Sequence, residues 1–106
     1  MNRSVRMQAA LGAIFVAATS MSLAQAPGQA TYKAKCQMCH GATGQADTGM
    51  GKATKTLPLT DPTVSKLSEA EMVELTKSGK GKMQPFKGVL SDEEIKNAVT
   101  YYRSLK

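Results

Sequence analysis

The stretch that decides the fold is Cys36-Gln37-Met38-Cys39-His40, which holds both cysteines and the single histidine of the chain. Two thiols three positions apart, at the end of a helix, can reach the two vinyl groups along one edge of a haem and become thioethers. The histidine that follows then lies beneath the ring and offers an imidazole nitrogen to the iron. This haem motif predicts covalent attachment of one haem c through Cys36 and Cys39, with His40 as the proximal axial ligand.

The motif has other possible uses. A CxxC pair can be a thiol-disulfide redox couple, but that use is typical of a thioredoxin-like βαβ context, and no strand pattern is found along this chain. Zinc sites of the Cys₂His₂ or Cys₄ type need four ligands, whereas the chain offers two cysteines and one histidine. A chance occurrence of the motif is the remaining alternative. The export that is predicted below makes chance less expected, because c-type haem is attached outside the cytoplasm.

Residues 1–24 are predicted to be a cleaved secretory signal peptide. A basic start is followed by an apolar run over residues 9–18 and by a small-x-small pattern that ends at Ala24. A cut after Ala26 fits the small-residue pattern equally well, but it would leave Pro27 directly after the cut. The alternative is an uncleaved membrane anchor, although the apolar run is shorter than the roughly 18 residues that a spanning helix needs.

The remaining residues, 25–106, are predicted to form one small domain. The whole chain has 14 lysines and arginines against 8 acidic residues, a formal net charge of +6. A domain of this size makes only a marginal hydrophobic core, so a haem at its centre would supply the missing volume. Nucleic acid is not an expected partner, because the charge is modest and the protein is exported.

Three helices are predicted, joined by loops. The first covers about residues 28–38 and ends in the haem motif. The second covers residues 69–78 and the third residues 92–105, and each begins with a capping box in which a serine and a glutamate satisfy each other's free backbone amides. A short helical turn is expected from Asp61, which precedes a proline. Residues 41–58, rich in glycine and threonine, are expected to be a loop that wraps the haem.

The distal axial ligand of the iron is expected to be Met83. Bis-histidine ligation is excluded because His40 is the only histidine. Met38 lies within the haem motif on the His40 side of the ring, and Met72 fits the apolar face of the second helix. Met83 follows two glycines that allow the backbone to approach a flat ring, in a loop anchored by helices on both sides. Met50, also flanked by glycines, and an open iron position stay as alternatives.

These residues resemble the small bacterial class I cytochromes c over essentially the whole domain. The resemblance rests on three stretches: Cys36-Gln37-Met38-Cys39-His40-Gly41, the methionine-loop sequence Gly79-Lys80-Gly81-Lys82-Met83 and the closing-helix sequence Tyr101-Tyr102-Arg103-Ser104-Leu105. It implies an all-α, small cytochrome c fold, with three main helices and loops wrapped around one covalently bound haem.

The resemblance also implies how the terminal helices meet. Gly28 would let the last helix cross closely, and Tyr32 would pack against Tyr101 and its neighbours. The chain departs from the family pattern at Gln84, which stands where a proline often follows the axial methionine. It also lacks the proline that often follows the haem motif. The second nitrogen of His40 is expected to donate to a backbone carbonyl, which the sequence does not identify.

The predicted function is that of a soluble periplasmic mono-haem cytochrome c that carries single electrons between respiratory redox partners and is not an enzyme. A thioether ligand favours Fe(II) and raises the reduction potential, and two filled axial positions leave no site for a substrate. The alternatives are an open-iron haem enzyme, a gas or peroxide sensor, or a dedicated haem subunit of a larger oxidoreductase complex.

The expected partners are redox proteins with acidic docking surfaces. Lysines cluster in sequence around Met83 and could steer an exposed haem edge toward such partners: Lys77, Lys80, Lys82 and Lys87. The alternative is a solvated lysine face without a partner. After cleavage the protein is expected to be a monomer with no stable membrane insertion.

Overall fold

The computed structural model describes residue 12 and residues 26–105. Within these residues the chain forms six helices, in the order α1 Gln29–Lys35, α2 Gln37–His40, α3 Gly49–Ala53, α4 Pro62–Ser65, α5 Glu69–Ser78 and α6 Asp92–Arg103. Pairing of the β type in this part of the chain is limited to two isolated bridges within residues 80–90. The predicted all-α class is confirmed. The predicted signal peptide lies outside the described residues, apart from residue 12.

The two long helices begin where their capping boxes predict. Ser68 Oγ accepts a hydrogen bond from the Glu71 amide at 3.1 Å, and Ser91 Oγ accepts one from the Glu94 amide at 3.1 Å. In both cases the glutamate carboxylate accepts the serine amide in return. α5 has the predicted bounds, whereas α6 ends two residues early because the next two amides bond to carbonyls three residues back and tighten the last turn.

The first predicted helix is divided at Cys36. The backbone of Cys36, at φ −116° and ψ −36°, caps both α1 and α2. The Cys36 amide still bonds to the Tyr32 carbonyl at 2.8 Å, and the His40 amide bonds to the Cys36 carbonyl at 3.0 Å. The helical path therefore bends at the first cysteine and continues to His40, past the predicted end at Met38.

The expectation of a loop throughout residues 41–58 is wrong, because α3 lies within it. Thr48 begins α3, since its hydroxyl accepts the Gly51 amide at 2.9 Å. Two glycines among the five residues of α3 lower its intrinsic helix propensity, which hides the helix from sequence analysis. The short turn expected from Asp61 is confirmed as α4, with the Asp61 carboxylate accepting the Thr63 amide at 2.9 Å.

The hydrophobic core lies between α5, α6, the segment that joins them and Leu59 from the segment before α4. α5 and α6 run antiparallel, because Lys77 pairs with Asp92 at 3.6 Å at one end while Glu69 meets Thr100 at the other. Met72 is 6% exposed, which confirms its predicted place in the core. The buried cluster consists of Leu59, Met72, Phe86, Ile95 and Val99. None of the described helices is long and apolar enough to cross a bilayer.

α1 crosses α6 at Gly28, as the family resemblance implies. Gly28 has a φ of 83°, and a Cβ at this position would overlap the Asn97 carbonyl and lie 2.7 Å from the Ala98 amide nitrogen. One turn later, Tyr32 is 1% exposed and its ring centroid lies 5.2 Å from that of Tyr101. The expected contact between the terminal helices is confirmed.

Substitution of Gly28 tests this crossing. Gly28→Ala combines a left-handed backbone with an overlap against rigid backbone, and we expect the free energy of unfolding of the haem-loaded protein to fall by about 2–4 kcal/mol. Gly49→Ala is the matched control, because its Cβ meets nothing within 4 Å and it lies in a helix without strain. We expect that change to stabilise the protein by up to about 1 kcal/mol. Equal effects of the two changes in guanidinium unfolding would contradict the close crossing.

Candidate functional site

The three side chains of the haem motif lie on one side of one helical turn. Cys36 stands at the junction of α1 and α2, and Cys39 and His40 are the last two residues of α2. Positions three and four residues apart share a helix face, so the two thiols and the imidazole are brought together. Both cysteines are free and partly buried.

The backbone after the motif is held from the interior of the protein. The Ala46 amide donates to the His40 carbonyl at 2.9 Å. The buried Tyr32 hydroxyl donates to the Gly41 carbonyl at 2.5 Å. Gly41 turns the chain with a φ of 82°, a conformation that favours glycine. These bonds fix the peptides on both sides of Gly41, next to His40.

α3 holds the motif from its other side. The Thr48 hydroxyl donates to the Met38 carbonyl at 2.5 Å. Gly51 is buried against the motif, since a Cβ there would overlap the Cys39 carbonyl. Sequence analysis missed both residues, although a threonine three positions before a glycine in a glycine-rich stretch is a weak signal for a capped helix.

Burial shifts the pKa values of Cys36 and His40. The pKa of Cys36 is raised to about 11 by burial and, to a lesser extent, by the neighbouring Cys39 thiol. Burial lowers the pKa of His40. At neutral pH the site therefore presents a thiol at Cys36 and a neutral imidazole, the form of histidine that binds a metal. The motif residues fit a covalently attached haem c.

The environment of the His40 ring differs from the sequence expectation. Among the described residues, His40 Nδ1 is buried without a hydrogen-bond partner, so the expected backbone carbonyl acceptor is not found. The carbonyls of His40 and Gly41 accept from the Ala46 amide and the Tyr32 hydroxyl. The His40 ring instead meets the Tyr102 ring, with centroids 5.2 Å apart and planes at 63°.

The Met83 loop, residues 79–86, is a tight turn anchored to α5. The amides and carbonyls of Lys80 and Met83 bond to each other in both directions at 3.0 Å, and Gly81 takes a φ of 57° between them. A Cβ on Gly79 would lie 2.7 Å from the Met83 carbonyl oxygen. Gly79 thus allows the loop backbone to fold closely onto itself.

The Met83 side chain is partly buried and packs against the hydrophobic core. The amide of Phe86 donates to the Thr76 carbonyl at 3.0 Å and fixes the exit of the loop to α5. The alternative thioether, Met50, is 46% exposed and is not part of the hydrophobic core. Met83 therefore lies at the edge of the core, in a segment held at both ends.

The lysines predicted to surround Met83 divide into two groups. Lys80, Lys82 and Lys87 are exposed on the segment that follows α5. Lys77 lies back on α5, where its ammonium is 3.6 Å from Asp92 and 3.8 Å from Glu74. The charge of Lys77 is thus partly balanced, and the other three carry the positive charge of this surface.

A family model and several solved structures match the chain. The family model described as cytochrome c oxidase, cbb3-type, subunit III matches residues 23–101. The solved structure of the KustC0563 c-type cytochrome is 31% identical to the chain, with a TM-score of 0.67 over 74% of this chain and 96% of that one. A comparison with curated proteins finds no match.

Two further solved structures are cytochromes c6. The protein from the diatom Phaeodactylum tricornutum is 32% identical, with a TM-score of 0.57 over 74% of this chain and 88% of that one. Cytochrome c6C from Synechococcus is 27% identical, with a TM-score of 0.57 over 74% of this chain and 92% of that one.

Fold, motif and matches together define a small mono-haem class I cytochrome c, as the sequence predicts. The chain belongs to the family of cytochrome c oxidase, cbb3-type, subunit III. It carries a covalently bound haem c with its iron, and its general class is that of a haem electron carrier.

Proposed function

We propose that the protein is a one-electron carrier whose haem is attached through Cys36 and Cys39, with His40 as the proximal axial ligand. The observation that carries this proposal is that two free cysteines and the only histidine stand at positions 36, 39 and 40 of one helical turn. The bound haem supplies the reversible Fe(III)/Fe(II) couple. The chain holds the attachment segment by hydrogen bonds to its backbone carbonyls, donated by the Tyr32 and Thr48 hydroxyls and the Ala46 amide.

Met83 is the proposed distal ligand. Its side chain lies at the edge of the core in a loop with fixed ends, whereas Met72 is buried within the core. A neutral thioether favours Fe(II), which suits a carrier of relatively high potential. With both axial positions filled, no position on the iron remains for a substrate, so electron transfer is proposed rather than catalysis.

A dedicated subunit of a larger complex is the second candidate, and the description of the matching family as an oxidase subunit favours it. The free carrier is supported by size, because the matched part of this chain covers 96% and 88% of two solved cytochrome chains. Size-exclusion chromatography of a native extract, followed by haem absorbance, distinguishes a small monomer from a large assembly.

Exposed lysines at the Met83 loop are the proposed docking surface for an acidic redox partner. Lys80, Lys82 and Lys87 belong to this surface, whereas Lys77 is excluded because it is paired with Asp92 and Glu74. Lys82 Nζ also lies 3.4 Å from the Ala53 carbonyl, which holds part of this charge beside the end of α3.

Export to the periplasm is proposed from residues 1–24, and the mass of the mature protein tests it. A cut after Ala24 keeps the Ala26 carbonyl, which accepts the Gln29 amide at 3.0 Å just before α1. We expect the intact mass of periplasmic holoprotein to equal residues 25–106 plus one haem. A mass that corresponds to a start at Pro27 would reject the proposed cut, and a full-length mass would reject cleavage.

Replacement of Met83 tests the distal ligand. Met83→Ala should abolish the near-red sulfur-to-iron band of the oxidised protein and lower its reduction potential by on the order of 0.1 V, within the roughly 0.8 V that axial ligands span. Met50→Ala is the control and should retain both the band and the potential. A high-spin spectrum in the unmodified protein, or a band that survives Met83→Ala, would contradict the assignment.

Removal of loop charge tests the docking surface. The double variant Lys80→Gln/Lys82→Gln should slow oxidation of the reduced protein by ferricyanide about threefold at low ionic strength, because local positive potential concentrates an anionic oxidant. The difference should disappear near 0.5 M salt, where screening acts over a few ångströms. Lys66→Gln is the control, since Lys66 precedes α5 and lies about 15 Å from the loop that follows it. Equal slowing by Lys66→Gln would contradict a local effect.

A further inference from the structure

We propose that Tyr102 is a positioning residue that sets the orientation of the His40 imidazole, a role that a backbone carbonyl was expected to fill. The inference rests on the proposed axial role of His40. The observation that carries it is an edge contact between two rings, combined with a buried ring nitrogen that has no acceptor within residues 26–105.

Tyr102 is itself held from three sides. Its ring lies on that of Tyr32, with centroids 6.0 Å apart and planes 20° from parallel. Its Cε2 atom lies 3.3 Å from the position that a Cβ on Gly44 would occupy, so the ring packs closely against the Gly44 backbone. The third contact is the His40 ring. Because the phenol ring is fixed by its other neighbours, it can restrain the imidazole.

The imidazole needs such a restraint. The χ2 torsion of histidine takes a broad range of values. The ring plane is therefore fixed neither by this torsion nor by a single bond from a ring nitrogen. A hydrogen bond from the second nitrogen usually fixes the plane and raises the basicity of the ligand. No such hydrogen bond is present within the described residues, and the contact with the Tyr102 ring is the restraint that the structure places on the imidazole.

The orientation of the imidazole plane has a direct spectroscopic signature. In a low-spin ferric haem, the axial ligand planes determine how unpaired spin density is distributed over the macrocycle. The four haem methyl groups therefore show a pattern of paramagnetic ¹H NMR shifts that reports the ring plane. A change in general stability alone leaves this pattern in place.

Three variants of the holoprotein test the role of Tyr102. Tyr102→Leu removes the aromatic edge and should change the order and spread of the four haem methyl shifts. Tyr102→Phe keeps the edge and should retain the unmodified pattern. Tyr101→Leu is the matched control, because Tyr101 also packs on Tyr32, at 5.2 Å, from the neighbouring position of α6. Tyr101→Leu should lower the thermal midpoint and leave the methyl pattern unchanged.

The outcomes separate this inference from the proposed function. An unmodified pattern in Tyr102→Leu, or an equal change in Tyr101→Leu, overturns the positioning role. If Tyr102→Leu yields no folded holoprotein, Tyr102→Met removes the aromatic edge at similar length, and the same comparison applies to it. A high-spin ferric spectrum in the unmodified protein instead refutes the proposed ligation, and this is measured before any variant is examined.

Discussion

The interaction on which the rest of the structure depends is the burial of Tyr32 at the crossing of α1 and α6. Its ring packs against Tyr101 and Tyr102, and its hydroxyl donates to the carbonyl of Gly41. One side chain thus connects the helix crossing to the peptide that follows His40. The close approach at Gly28 brings α6 near enough for these contacts. The helix crossing and the position of the haem motif therefore depend on the same packing.

The parts of the fold that could be predicted are those specified by short-range chemistry. Ser68 and Ser91 each satisfy amides within three residues, and α5 and α6 begin accordingly. α3 could not be predicted because its glycines oppose a helix locally. It is stabilised instead by tertiary contacts, in which Thr48 bonds to the Met38 carbonyl and Gly51 packs against Cys39. Such contacts join segments that a sequence pattern treats separately.

The candidate site also combines residues that local spacing predicts with neighbours that only tertiary structure brings together. The grouping of Cys36, Cys39 and His40 follows from helical spacing alone, so the sequence is sufficient to predict it. The surroundings of the imidazole depend on Tyr102, which lies in another helix far along the chain. No local signal marks that contact, and the general behaviour of metal-ligating histidines predicts a carbonyl partner in its place. In the folded chain the neighbour of the imidazole is therefore the Tyr102 ring, and the expected carbonyl acceptor is not found among the described residues.

Rigidity at both proposed axial residues is consistent with a carrier of single electrons. A change in iron charge is fast when its ligands move little, and the backbone around each ligand limits such movement. The peptides after His40 are bonded to Ala46 and Tyr32, whereas Met83 is enclosed by its paired bonds with Lys80. The His40 segment is anchored by α1 and α3, and the Met83 loop is anchored by α5 and, through Lys82, by the Ala53 carbonyl at the end of α3. Because these anchors limit movement of both ligands, the ligand set can be retained in both oxidation states.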